Sequence, residues 1–318
     1  MKNAECSTAI SIKNILFLTD FSEPSEAALP FATSIARGYR ARVYALHVFT
    51  PDPNVFAAPP KLVIAAIETG EQTAKARIES QLAGLEHETI VDWSIDLWDA
   101  VQKTIKEKNI DLIVMGTHGR TGADKFFMGS VAEEIFRRSP VPVLTIGPHV
   151  RSSVHTGGRF RRVLFPTDFT GPSLAAAPYA VSLAQENSAK LVLLHVMRTP
   201  ELRIGDGRKE SGSNKNELRE NEQRRFELSV AEAIHQLYET IPNDVDLRFP
   251  PESIVEYGDP ADRILALANE RSSDLIVLGV RDAAGHLGSA THLARATAHK
   301  VVAHAPCPVL TVRERVFD

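Results

Sequence analysis

The residues best suited to chemistry lie in one stretch, Met115-Gly-Thr-His-Gly-Arg-Thr-Gly-Ala-Asp-Lys-Phe-Phe-Met-Gly-Ser-Val131. Gly116, Gly119 and Gly122 let a backbone approach an anion closely and turn through positive φ, which a Cβ resists. Gly129-Ser130 stands where a helix is expected to open. There, N–H groups without intrahelical partners and the positive end of the helix dipole suit a phosphate, and the Ser130 hydroxyl can add a hydrogen bond. His118 could donate to a phosphate or assist slow hydrolysis. Arg120 and Lys125 could neutralise phosphate charge or simply be solvated. The spacing is neither a Walker A loop nor G-x-G-x-x-G, so spacing alone leaves a phosphate cradle and a plain tight turn both open.

Few other residues point to chemistry. His47 and His195 recur at one strand position with no cysteine or carboxylate cluster beside them, which favours local hydrogen bonding over metal binding or catalysis. Trp93 and Trp98 read as packing around a strand. Rapid phosphoryl transfer needs placed Mg²⁺ ligands, a lysine on the phosphates and a group that positions water. No motif supplies them, and no Ser-His-Asp order or H-E-x-x-H is present. A binder or sensor, with at most slow hydrolysis, is the expectation.

The elements that must position this loop follow from apolar runs alternating with amphipathic stretches. Strands are expected at 14–18, 43–48, 90–95, 112–115 and 141–146, and helices at 25–37, 62–85, 99–108 and 130–138. Unalternated apolar strands separated by helices indicate a parallel sheet covered on both faces, with ligands at the carboxyl ends of its strands. The pattern then repeats. Residues 15–48 align with 163–196 without a gap, half the positions identical; Asp111-Leu-Ile-Val-Met-Gly116 matches Asp274-Leu-Ile-Val-Leu-Gly279, and Pro140–Ile146 matches Pro306–Val312. The chain is an internal duplication. The expected fold class is α/β: two tandem doubly wound domains, 1–150 and 151–318, each a five-stranded parallel sheet. Polar residues 151–161 serve as the linker, and charged residues 201–225 as a solvated loop leading into a helix at about 221–238.

Length and composition agree. A chain of 318 residues suits two domains of about 150 each, large enough to bury a core unaided. A net charge of −4 offers no basic field for nucleic acid or anionic lipid. Cys6 and Cys307 have no metal or disulfide spacing and read as reduced thiols. With no apolar run of signal-peptide or membrane-spanning length, a cytoplasmic protein is expected.

The chemistry-bearing loop resembles a known family. G-x2-G-x9-G-[ST] is the nucleotide-binding signature of the universal stress proteins, and Gly116, Gly119, Gly129 and Ser130 match it. Thr19-Asp20-Phe21-Ser22, Leu46-His47-Val48 and Pro142-Val143-Leu144 are similar to that family too. The resemblance covers nearly the whole chain and implies an adenine nucleotide alpha hydrolase-like fold. It also implies ATP, with or without Mg²⁺, as the ligand. Adenine would sit near Thr19, Asp20 and the Val48 backbone. Ribose and phosphates would lie over Met115, Gly116, Thr117, His118, Gly119, Arg120 and Gly122, and over Gly129, Ser130, Val131 and Ala132. Asp20 can accept from an adenine amino group or a ribose hydroxyl; its alternative role is to cap the helix after Phe21.

The second copy keeps Thr167-Asp168-Phe169 and Leu194-His195-Val196 but not the loop. Asp282 stands in place of Gly119, and counting back from the Pro-x-Pro tail puts Arg295-Ala296 in place of Gly129-Ser130. Gly288-Ser289 is a second option at the wrong spacing; Arg281 or Arg295 could in principle hold an anion. The expectation is one nucleotide site, in the first copy, and a partner domain. The resemblance further implies that the copies pair through 141–146 and 309–313, with further association into a homo-oligomer, and that the bound state tunes contact with a protein partner. The alternatives are a nucleotide-free scaffold and a true ATP hydrolase.

Overall fold

The computed structural model describes residues 10–49, 59–94, 96–117, 129–150, 159–197, 214–242, 244–280 and 289–314, without the side chains of 214–220, 222 and 289–296. In the first half, β1 (Asn14–Leu18), α1 (Glu23–Tyr39), β2 (Arg42–Val48), α2 (Pro60–Gln81), β3 (His87–Asp92), α3 (Leu97–Lys108), β4 (Leu112–Gly116), α4 (Ser130–Arg138) and β5 (Val143–Ile146) alternate strictly. The second half repeats this as β6 (Arg162–Pro166), α5 (Gly171–Leu174), α6 (Ala177–Asn187), β7 (Lys190–Met197), α7 (Asn214–Glu239), β8 (Glu252–Tyr257), α8 (Pro260–Glu270), β9 (Leu275–Val280), α9 (Ser289–His304) and β10 (Val309–Arg313).

Local chemistry sets the boundaries. Ser22 caps α1, Asp96 caps α3 and Asp259 caps α8, each accepting from a backbone N–H of the first turn. Arg40 and Asn109 end α1 and α3 in the left-handed region. Before β1, the Asp111 carboxylate accepts from the N–H groups of Lys13 and Asn14 at 2.8 and 3.0 Å, and Asp274 repeats the clamp on Arg161 and Arg162 before β6.

Strand order is β3-β2-β1-β4-β5-β10-β9-β6-β7-β8, one sheet of ten strands. Within each half all neighbours are parallel, and the order reverses between the first and fourth strands. That reversal is where a doubly wound sheet opens a crevice for ligand. The halves join through β5 and β10, the only antiparallel pair among the described strands, with Leu144 opposite Leu310. Thr145 Oγ1 donates to the Val309 carbonyl at 3.1 Å and Thr311 Oγ1 to the Val143 carbonyl at 3.2 Å, a reciprocal pair buried at the seam. The expected pairing of the two last strands is therefore present.

Two apolar cores, one on each face of the sheet, run through both halves. One joins Phe31 and Ile35 of α1 to Val181 and Leu183 of α6, with Phe160 stacked on Phe31 at 6.2 Å. The other joins α3 and α4 to α8 and α9. Among the described residues no helix is long and apolar enough to cross a membrane.

Three expectations need correction. The third strand lies at His87–Asp92 rather than 90–95, because β3 pairs from His87 onward with Val43 of β2. Residues 214–220, expected as solvated loop, already belong to α7, whose first turns carry the helix-favouring run Glu-Leu-Arg-Glu. Arg295-Ala296, set in place of Gly129-Ser130 by counting back from the Pro-x-Pro tail, falls inside α9, which begins at Ser289 and is 16 residues long against the 9 of α4.

Candidate functional site

The turn from β1 into α1 is the first component. Thr19 N–H donates to the Leu46 carbonyl, which ties the end of β1 to β2. Phe21 sits at φ 62°, a left-handed conformation costly for a residue with a bulky side chain. Several contacts hold it there. Its N–H donates to Thr19 Oγ1 at 3.1 Å, and its ring lies 4.5 Å from that of His47. Asp20 Oδ1 accepts from the Ser22 N–H at 3.0 Å and the Ser22 hydroxyl at 2.5 Å. Asp20 is thus not the helix cap; Ser22 is, and Asp20 orients it. His47, 5% exposed, has Nδ1 2.8 Å from the Thr19 carbonyl, the hydrogen-bonding role expected of it.

The second half repeats this turn closely. Phe169 has φ 61°, Asp168 Oδ1 accepts from Thr170 at 3.1 and 2.5 Å, and His195 Nδ1 lies 2.8 Å from the Thr167 carbonyl. A constellation built identically in both halves is a requirement of the strand-to-helix turn.

The second component is the exit from β4. Gly116 has a packing reason of its own: a Cβ there would lie 2.6 Å from the Pro24 carbonyl oxygen and 2.7 Å from its carbon. The first turn of α1 crosses the strand end at that distance. Gly279 faces Pro172 and Ser173 in the same way, still more closely, which explains why this glycine stands in both halves. Thr117 is fully buried, its N–H donated to the Ile146 carbonyl at 3.0 Å. Its own carbonyl accepts from the Gly129 N–H at 2.9 Å, so Thr117 and the start of α4 are held together. Helix α4 opens there with Gly129 as its cap residue and no side-chain cap.

These parts meet around one cavity of about 940 Å³, inside the range of small-molecule sites. It lies at the carboxyl ends of β1, β2 and β4, where the strand order reverses. Thr19, Asp20, Val48, Met115, Gly116, Thr117, Gly129, Ser130, Val131 and Ala132 all line it. His118, Gly119, Arg120, Gly122 and Lys125 lie outside the described residues, as do Arg281, Asp282, Gly288 and the side chain of Arg295.

Sequence reasoning missed the opposite wall. Thr73, Ala74 and Arg77 of α2 close the cavity from the side, and Phe21, His47, Phe49 and Leu97 give it an apolar, aromatic end. The Arg77 guanidinium lies 4.7 Å over the Phe21 ring and pairs with Glu26 of α1. Phe49 stacks on Trp93 with centroids 4.5 Å apart, whereas Trp98 is a core residue. The helical spacing of Gly70, Thr73, Ala74 and Arg77 could have marked one face of α2, but nothing in the pattern says what that face meets. Among the described residues, no group of three or more His, Cys, Asp or Glu side chains could hold a metal ion.

The family model for the universal stress protein family matches residues 11–147 and again 159–313. The chain belongs to the universal stress protein family. Its first relatives are single-repeat proteins. A universal stress protein of Methanocaldococcus jannaschii is 31% identical over 139 residues, spanning 42% of this chain and 81% of its own length. One of Thermus aquaticus is 28% identical over 135 residues, 42% of this chain and 98% of its own. Among solved structures, a universal stress protein from Archaeoglobus fulgidus superposes with a TM-score of 0.58 at 23% identity, covering 94% of this chain and 98% of that one. That likeness is one of fold, and it extends across both repeats.

Proposed function

We propose that this universal stress protein binds an adenine nucleotide, ATP, in the cavity of its first half and acts as a nucleotide-dependent regulator. The observation that carries the reading is the opening of α4. A helix of nine residues begins at a glycine without a side-chain cap on the wall of a cavity of about 940 Å³, held to the end of β4 by the Gly129–Thr117 hydrogen bond. A helix start of this kind favours a phosphate through its free N–H groups and its dipole. The aromatic residues Phe21, His47 and Phe49 on the same cavity suit a base, which supports reading base and phosphate as parts of one ligand. Mg²⁺, where bound, would be held chiefly by the phosphates. Turnover should be slow, because no described residue is a placed base for attack at a phosphoryl group.

Isothermal titration with ATP tests this. Micromolar or tighter binding by the intact chain, abolished in Gly129→Arg while the far-ultraviolet dichroism is unchanged, is the expected result. Absence of heat and of any thermal shift in the wild-type chain would leave the scaffold alternative. Turnover faster than about one per minute would favour a hydrolase.

A further inference from the structure

Helix α2 contains a glycine, Gly70, in mid-helix, where glycine costs about 1 kcal/mol relative to alanine. The structure shows what occupies the space it leaves. A Cβ built on Gly70 would lie 2.7 Å from Cζ and 3.0 Å from Cε2 of Phe49. The Phe49 ring therefore reaches from the end of β2 across to α2 and seats its tip in a notch that only glycine provides. Trp93 stacks against it at 4.5 Å, and the His47 ring meets it edge-on at 5.5 Å. Phe49 and Gly70 both line the cavity. A ring fixed by two aromatic neighbours and a helix notch is preorganised.

The equivalent place in the second half is built otherwise. Tyr257 occupies the position of Trp93, and Met197 that of Phe49; the Tyr257 hydroxyl donates to the Met197 sulfur at 3.3 Å. There the aromatic partner comes from the helix, Phe226 of α7 stacking on Tyr257 at 4.9 Å. The Phe49–Gly70 device belongs to the first half, whose cavity it bounds.

We infer that Phe49 is the specificity wall of this site, the surface against which a ligand's planar base packs, and that Gly70 sets the position of that wall. The inference rests on the nucleotide reading above and deepens it: affinity depends on a flat heteroaromatic base as well as on phosphate. Base–aromatic stacks are worth enough that removing one weakens binding by roughly tenfold or more.

Titrations of the intact chain with ATP and with inorganic triphosphate, which lacks a base, test it. Phe49→Ala should weaken ATP binding by about tenfold and leave triphosphate binding within about twofold. Gly70→Ala should also weaken ATP, by driving the ring into the cavity, and should cost nothing further when Phe49→Ala is already present. Phe49→Leu, which keeps apolar volume but not a planar face, guards against simple collapse and should still lose most of the ATP preference. Unchanged ATP affinity in Phe49→Ala, equal losses for ATP and triphosphate, or additive effects of the two substitutions would each overturn the inference while leaving nucleotide binding intact. A wild-type chain that binds no ATP would instead remove the nucleotide reading itself, and this inference with it.

Discussion

Substituting Gly116 by alanine separates a packing role from a ligand role at the first residue of the loop motif. The added methyl would lie 2.6 Å from the Pro24 carbonyl oxygen and 3.0 Å from the Ser25 nitrogen, well inside van der Waals contact. Those neighbours are backbone, so no side chain can swing away. Either α1 shifts from the sheet or the strand end bends. The first turn of α1 is tied to the Thr19–Asp20–Ser22 turn, and its next turns bury Ala28, Phe31 and Ala32 in the core. Overpacking against such surroundings costs about 1–3 kcal/mol, and the rigidity of both partners places this case at the upper end. At about 2–4 °C per kcal/mol for a unit of this size, the melting temperature should fall by roughly 5–10 °C. Urea unfolding without any nucleotide is the assay. Gly38→Ala is the control of opposite sign: it lies in the same helix with nothing within 4 Å of its added Cβ, and should stabilise by about 0.5 kcal/mol. If ligand-free Gly116→Ala unfolds at the wild-type urea concentration, the close crossing of α1 over β4 is not what the glycine serves.

Two further outcomes follow from the seam between the halves. Burial pushes the Tyr39 phenol up to about 12 from its ordinary 10.0, against the lowering effect of its hydrogen bond with Ser182. A folded-state value above the unfolded one means stability that is complete below pH 10 and is lost as pH rises from 10 towards 12. Tyr39→Phe should flatten that alkaline limb, as measured by denaturant unfolding at several pH values; an unchanged limb would show that the phenol does not report on folding. Thr145→Val removes a hydroxyl that donates to the Val309 carbonyl with little change of shape, and should cost about 1 kcal/mol. The double variant with Thr311→Val should cost about twice as much, and equal urea midpoints for all three chains would show that these buried hydroxyls contribute nothing to the join.

Much of the architecture was legible because it rests on local rules. Apolar runs such as Leu112-Ile-Val-Met115 form strands of the parallel sheet, and α4 starts and stops where its sequence says, whereas the cap of α1 is Ser22 and not Asp20. Duplication doubled that signal. Where patterning is weak, the reading drifts: counting back from the Pro-x-Pro tail sets Arg295-Ala296 opposite Gly129-Ser130 although α9 opens at Ser289, and α7 is started too late because its first two turns carry a single apolar residue, Leu218.

The candidate site divides along the same line. Ten of the residues marked by spacing and resemblance do converge on one cavity, because the carboxyl ends of β1, β2 and β4 and the start of α4 must be neighbours once the sheet is doubly wound. The wall made by α2 and the aromatic side made by Phe21, His47 and Phe49 were not legible. They depend on which face of a helix crosses which strand end, and no local pattern carries that information.

The sequence by itself determined that the chain is a duplicated α/β unit, which residue types surround the loop, and that only the first copy carries glycines throughout it. Only the tertiary structure decided what one of those glycines, and one in α2, are for. Gly116 makes room for α1, and Gly70 makes room for Phe49, because a glycine's purpose is set by the atom opposite its missing side chain, and that atom arrives from a distant part of the chain.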